Sequence, residues 1–132
     1  MEIIEFRTRA KEEFVDLTAE VGRVVTGSGV ASGVCVVSVP HTTAGVTLNE
    51  NADPDVRADL LMTLRRIVPD MLPYAHVEGN SPAHAKAALI GSSVSLIVEG
   101  GRMQLGTWQG VFFCEFDGPR TRKVWIQVVG KV

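Results

Sequence analysis

Two stretches of this chain concentrate the residue types that perform chemistry. The first runs from His41 to Asp59 (HTTAGVTLNENADPDVRAD). It gathers one imidazole, Thr42, Thr43, Asn49, Asn51 and the carboxylates of Glu50, Asp53, Asp55 and Asp59 into nineteen residues. The second runs from Tyr74 to Gly91 (YAHVEGNSPAHAKAALIG) and holds the other two histidines, His76 and His84, with Asn80. Imidazoles exchange protons near neutral pH and act as general acids or bases. Carboxylates and amide oxygens suit hard cations such as Mg²⁺. A lone histidine is most often structural. Three of them at element ends, beside surplus carboxylates and amides, point to a site.

Each stretch leads into a helix, and the two starts differ in charge. In the first, Asp53 caps and Pro54 occupies the first helical position, where its missing N–H costs nothing. Asp53 and Asp55 offset the positive helix end. Capping accounts for both, but not for Glu50, Asn49 and Asn51. That end suits Mg²⁺ on Glu50 and Asp53, or a proton transfer, better than a bare phosphate. In the second, Ser81-Pro82 repeats the cap-plus-proline pattern without acids, and His84 falls at the third helical position. Free N–H groups there make an anion site, and a neutral imidazole serves there as base or ligand. A zinc site on His41, His76 and His84 is geometrically open, although no short-spaced ligand pair such as HExxH is present. The expectation is that the two stretches meet in space, one negative and one anion-friendly.

These residues need a frame. Strands are predicted at Glu2 to Arg7, Glu12 to Leu17, Gly33 to Val39, Ser93 to Glu99, Leu105 to Phe116 and Arg122 to Val129. Thr18 is expected to cap a helix from Ala19 to about Thr26, with Gly27 and Gly29 stopping it. A second helix follows Asp53, with Val56, Leu60, Leu61, Leu64, Ile67 and Val68 as its apolar face. The third runs to Ile90, with Gly91 ending it. Six strands and three short helices, the last strands joined as hairpins, describe an α+β domain with a largely antiparallel sheet. In Leu105 to Phe116, alternation puts Gln109, Val111, Phe113 and Glu115 on one face. Trp108, Gly110, Phe112, Cys114 and Phe116 take the other. Gln109 and Glu115 then lie about 20 Å apart. Both touch one ligand only if the strand bends or a neighbouring subunit contributes. Arg120, after the Asp117-Gly118-Pro119 turn, either clamps a phosphate or pairs with Asp117.

Composition narrows the class. A chain of 132 residues is one domain, residues 1–132, with 45% hydrophobic residues and a net charge of -2. That balance argues against nucleic acid as a partner. No apolar run approaches the roughly 18 residues of a membrane span. The opening residues carry Glu2 and Glu5 with no basic stretch and no apolar run, so no secretory leader is expected. A cytoplasmic protein is expected. Cys35 and Cys114 sit in apolar strands and read as buried free thiols.

The blocks HTTAGVTLNENADPDVRAD, HVEGNSPAH, GTWQGV and EFDGPRTR, in that order, resemble the YjbQ family, whose members carry the label secondary thiamine-phosphate synthase. The resemblance implies a compact, β-sandwich-like α+β domain that assembles as a homotrimer. By motif position it implies a cleft lined by His41, Glu50, Asp53, His76 and His84, with Trp108, Gln109, Glu115 and Arg120 in or under it. The activity it implies joins a pyrimidine diphosphate to a thiazole phosphate with release of pyrophosphate. His41, Glu50, His76 and His84 would be catalytic. Thr42, Thr43, Asn51, Asn80, Trp108, Gln109, Glu115 and Arg120 would hold the phosphorylated substrate. Mg²⁺ is the expected cofactor, zinc the less favoured one, and no organic cofactor is expected. Two further readings stand beside it: a metal-dependent hydrolase with a His/carboxylate site, and a non-catalytic trimer that binds a phosphorylated metabolite.

Overall fold

A segment apolar on both faces must be buried on both faces, and Val111 to Phe116 is such a segment. The computed structural model, which describes residues 1–131, places it at the centre of three layers. In chain order the elements are β1 (Glu2–Arg7), β2 (Glu13–Asp16), α1 (Thr18–Gly27), β3 (Ser32–Ser38), β4 (Ala44–Glu50), α2 (Pro54–Ile67), α3 (Ser81–Ile90), β5 (Ser93–Glu99), β6 (Arg102–Met103), β7 (Gln109–Glu115) and β8 (Thr121–Gly130). One sheet has the order β1-β8-β3-β5-β6 and the other β2-β7-β4, with every pairing antiparallel.

Val111 and Phe113 point into the core between the sheets, against Val37, Val98, Val124 and Ile126. Phe112, Cys114 and Phe116 point the other way, into a second core closed by Leu64 of α2 and by Ala83 and Ala87 of α3. Complete burial of each phenylalanine contributes roughly 1.5–3 kcal/mol. Helix α1 buries Val21 and Val25 in the first core. The expected α+β sandwich of antiparallel strands with three helices is what forms.

Several details differ from the sequence reading. Strands β4 and β6 were not expected. Only β5 and β6 form a terminal hairpin. β7 passes to the smaller sheet, because its two apolar faces need a layer on each side, and β8 inserts between β1 and β3. β7 begins only at Gln109, since Gly106 to Gln109 closes a turn: the Gln109 N–H donates to the Gly106 carbonyl (3.1 Å) and the Gly106 N–H to Gln109 Oε1 (2.8 Å). Thr18 does not cap α1. Its Oγ1 accepts the Val111 N–H at 2.9 Å and donates to Asp16 at 2.5 Å, tying the helix start to β7. Asp53 caps α2 as expected, accepting the Asp55 N–H at 2.9 Å. Of the predicted apolar face of α2, Leu64 and Val68 are buried, while Ile67 is 61% exposed. Gly91 closes α3 with φ 97°. Both thiols are free and buried, and burial pushes both pKa values up.

Candidate functional site

The unexpected strand β4 reorganises the first stretch. It runs antiparallel to β7 with Ala44 opposite Glu115 and Glu50 opposite Gln109. Seven residues of strand span roughly 20 Å. His41, Thr42 and Thr43 therefore lie at one end of the strand with Glu115. Glu50 and Asn51 lie at the other with Trp108 and Gln109. His41 and Glu50, read from the sequence as members of one half of the site, do not meet within the chain. The alternation of Ala44, Val46 and Leu48, all packed on the first core, was the available strand signal.

The histidine end is built around a buried ion pair. Glu115 is fully buried and Arg122 is 2% exposed. Arg122 donates to both carboxylate oxygens, from Nε at 2.8 Å and from its terminal nitrogen. Thr8 Oγ1 donates to Glu115 at 2.7 Å and the Asp117 N–H at 3.1 Å. Arg122 also donates to Thr43 Oγ1 at 2.9 Å. Burial raises the Glu115 pKa, but the hydrogen bonds from Arg122, Thr8 and Asp117 outweigh it and hold the carboxyl below its usual range. Glu115 and Thr43, expected to touch substrate, are thus committed inside the protein. Arg122 was missed because a basic residue at a strand start reads as exposed.

His41 is half-buried at the rim of this network. Its Nε2 accepts the Lys123 N–H at 2.9 Å, so Nδ1 carries the proton of the neutral ring. Burial and the nearby Arg122 charge lower its pKa. Arg120 resolves in favour of Asp117: its terminal nitrogen meets Oδ2 at 3.0 Å and its Nε the Asp117 carbonyl at 2.9 Å. Asn80 Nδ2 donates to the same Oδ2 at 2.9 Å, and Asn80 Oδ1 is buried with no partner. A carboxylate therefore sits at the α3 start that read as neutral. Asn80, not Ser81, holds the cap position, which makes His84 the fourth helical residue. His84 and the exposed His76 stack edge to face, ring centroids 5.4 Å apart. The two predicted stretches are joined through one segment: His41 rests on Lys123 and Asn80 on Asp117. Among the described residues no three His, Cys, Asp or Glu side chains converge as a metal-holding group. The three-histidine set therefore does not fit zinc within one chain. Thr42 is exposed.

At the opposite end the Asn51 N–H donates to the Trp108 carbonyl at 3.0 Å. The Asn51 side chain lies over Gly110, where a Cβ would stand 2.6 Å from Asn51 Nδ2. Trp108 is 62% exposed. Gln109 is exposed and uses Oε1 on the Gly106 turn. Asn49 Oδ1 accepts the Glu50 N–H at 2.8 Å, and the half-buried Glu50 makes no ion pair among the described residues. Asp53 uses Oδ1 in the α2 cap, which leaves Oδ2. Arg57 stands over the Phe112 ring, 5.3 Å from its centroid, with Nε buried and unpartnered. The sequence carried a signal for it: Arg57 is the sole Lys or Arg between His41 and Leu64.

Fold and site together define a class of two-sheet α+β sandwiches that carry a histidine-rich end and an amide, indole and carboxylate end. Residues 2–131 match the family described as UPF0047 protein YjbQ-like, and the chain belongs to that family. It is 45% identical to the UPF0047 protein MJ1081 of Methanocaldococcus jannaschii over 126 residues, covering 96% of this chain and 91% of that protein. It is 45% identical to the UPF0047 protein YugU of Bacillus subtilis over 131 residues, covering 98% and 99%. A crystal structure of an uncharacterised YjbQ/UPF0047 protein from Clostridium acetobutylicum superposes with a TM-score of 0.96 at 50% identity, covering 98% of this chain and 100% of that one. A YbjQ-like protein of unknown function from Sulfolobus solfataricus superposes with a TM-score of 0.95 at 30% identity, covering 98% and 96%. No helix among the described residues is long and apolar enough to cross a membrane.

Proposed function

We propose that this YjbQ-family chain is a transferase of the thiamine-phosphate-synthase type, joining a pyrimidine diphosphate to a thiazole phosphate. The observation that carries the reading is the exposed side chain of Trp108, whose backbone is hydrogen-bonded to that of Asn51, at the strand end that also bears Glu50 and Asp53. An indole face is a platform for a planar heteroaromatic ring. An amide beside it orients the ring's nitrogens. In the reaction the bond between the pyrimidine methylene carbon and the diphosphate oxygen breaks, and pyrophosphate leaves with the electron pair. The thiazole nitrogen then donates its lone pair to the resulting cation and becomes a thiazolium. Chemistry of this kind needs stabilisation of the leaving group more than a protein nucleophile. Glu50 and Asp53 are hard oxygen donors, and Mg²⁺ commonly needs only one or two carboxylates besides water and substrate phosphate. Bound there, the ion would supply charge neutralisation on the diphosphate. His41, neutral with a free Nδ1–H, is suited to donate to a phosphate oxygen, and the His76–His84 pair to hold the second phosphate.

The two ends lie roughly 20 Å apart on one chain, so the proposal includes assembly as a homotrimer in which neighbouring copies bring them together. The exposed Met62, Ile67, Met71, Leu72 and Val77 support burial against another copy. The test is pyrophosphate release and thiazolium formation from the two substrates by purified protein with Mg²⁺, alongside light scattering for the trimer. Loss of turnover in His41→Ala and Trp108→Ala with folding intact is expected. Tight binding of both substrates with no product in the wild type would replace the transferase with the non-catalytic binder.

A further inference from the structure

Arg57 occupies an unusual position for a surface-helix arginine. It follows Asp53 by four residues, the spacing and polarity that favour a helix ion pair. Yet among the described residues it makes no ion pair, while Arg65, Lys86, Arg120 and Arg122 all do. Its guanidinium instead turns in over the Phe112 ring, and its Nε is shut off from water with no acceptor. A sealed donor costs free energy, and the contact with the ring offsets part of that cost.

The neighbours of Arg57 say what this fork faces. Phe112 and Gly110 share one face of β7 as next-but-one residues, roughly 7 Å apart. Asn51 stands over Gly110 and Arg57 over Phe112. The amide and the guanidinium therefore stand over one face of β7, two residues apart along it, with the amide towards the Trp108 end. We propose that Arg57 is the residue that receives the anionic phosphoryl group of the ligand at this end, through paired N–H donors. The inference rests on the reading of this end as the substrate site. The Asp53 carboxylate, one helical turn before Arg57, would repel a bare anion, so the ligand it fits is a phosphoryl group neutralised by a divalent cation. A planar fork matches two oxygens of such a group, and a lysine does not reproduce that match.

The test is calorimetric titration of the full chain with inorganic pyrophosphate, with and without Mg²⁺. Wild type, Arg57→Lys, Arg57→Gln and, as a control on the exposed side of α2, Arg66→Gln are compared. Saturable binding by the wild type, stronger with Mg²⁺, is expected. Arg57→Gln should weaken it roughly 10- to 100-fold. Arg57→Lys should fall between, and Arg66→Gln should bind as wild type. Melting temperatures should be unchanged or raised in the Arg57 variants, because the sealed donor is gone. Wild-type affinity in Arg57→Gln overturns the inference. So does absence of binding in the wild type. A change of assembly state in Arg57→Gln with affinity retained also overturns it, assigning the guanidinium to a carboxylate of a second copy. If pyrophosphate binds through Arg57 but no thiazolium product forms from the two substrates, the transferase reading fails and the anion role of Arg57 stands.

Discussion

Glu115→Ala is the sharpest perturbation of the histidine end. In the folded chain Glu115 has no solvent exposure, and its carboxylate is held by Arg122, Thr8 and the Asp117 N–H. Truncation leaves the Arg122 guanidinium buried with only Thr43 to receive it. Breaking one side of such a pair costs about 3–5 kcal/mol. For a chain of this size that corresponds to a fall in Tm of roughly 10–20 °C. Urea denaturation followed by far-UV circular dichroism reads the loss directly, with the slope against denaturant unchanged. The double change Glu115→Met with Arg122→Met should recover most of it, because no buried charge remains. The pair also predicts an acid limb. The folded pKa of Glu115 lies below its unfolded value, so its contribution is present above the usual carboxylate range and is lost as pH falls through the folded value. Glu115→Ala should lack that limb. A loss under about 1 kcal/mol, the scale of a surface pair, would refute the assignment of this network as the anchor of the histidine end.

Gly110→Ala should destabilise by about 1–3 kcal/mol, because the new Cβ meets Asn51 at 2.6 Å; thermal melts check this, and a neutral result would show that Asn51 moves freely. Asp117→Ala should loosen the α3 start from the β7–β8 turn, seen as faster amide exchange at residues 80–84, since it removes the acceptor of the Asn80 side chain. Cys35 and Cys114 should stay unreactive to a thiol reagent until unfolding, since burial raises both pKa values. Arg122→Met should raise the His41 pKa, because the Arg122 charge is one of the causes that lower it; the imidazole proton shifts in NMR report the change.

Apolar alternation made most of the frame legible. The two faces of β7 were readable residue by residue, and so were the Asp53-Pro54 helix start and the Gly91 stop. β4 was masked because Asn49 and Glu50 read as chemistry while Ala44, Val46 and Leu48 carried the strand. That miss turned a 20 Å separation into an apparent cluster. Arg122 and Arg57 were passed over for a related reason. An arginine is read as solvated unless something says otherwise, and here the something is tertiary: a glutamate across the turn in the other sheet and a phenylalanine ring 55 positions away. The charge of the α3 start was misjudged because Asp117, 37 residues on, supplies the carboxylate.

Burial on both sides makes β7 a partition between two interiors. An ordinary surface strand has one side free to drift, and substitutions there are absorbed by water. From Gly110 to Phe116 no side is free. A change of volume at Phe113 must be answered by the five-stranded sheet, and one at Phe112 by the helices. Both polar ends hang on this partition, one beyond Gln109 and one at Glu115. The spacing between them is therefore set by the least adjustable part of the molecule. Loops and outer faces are free to diverge around a ruler of fixed length.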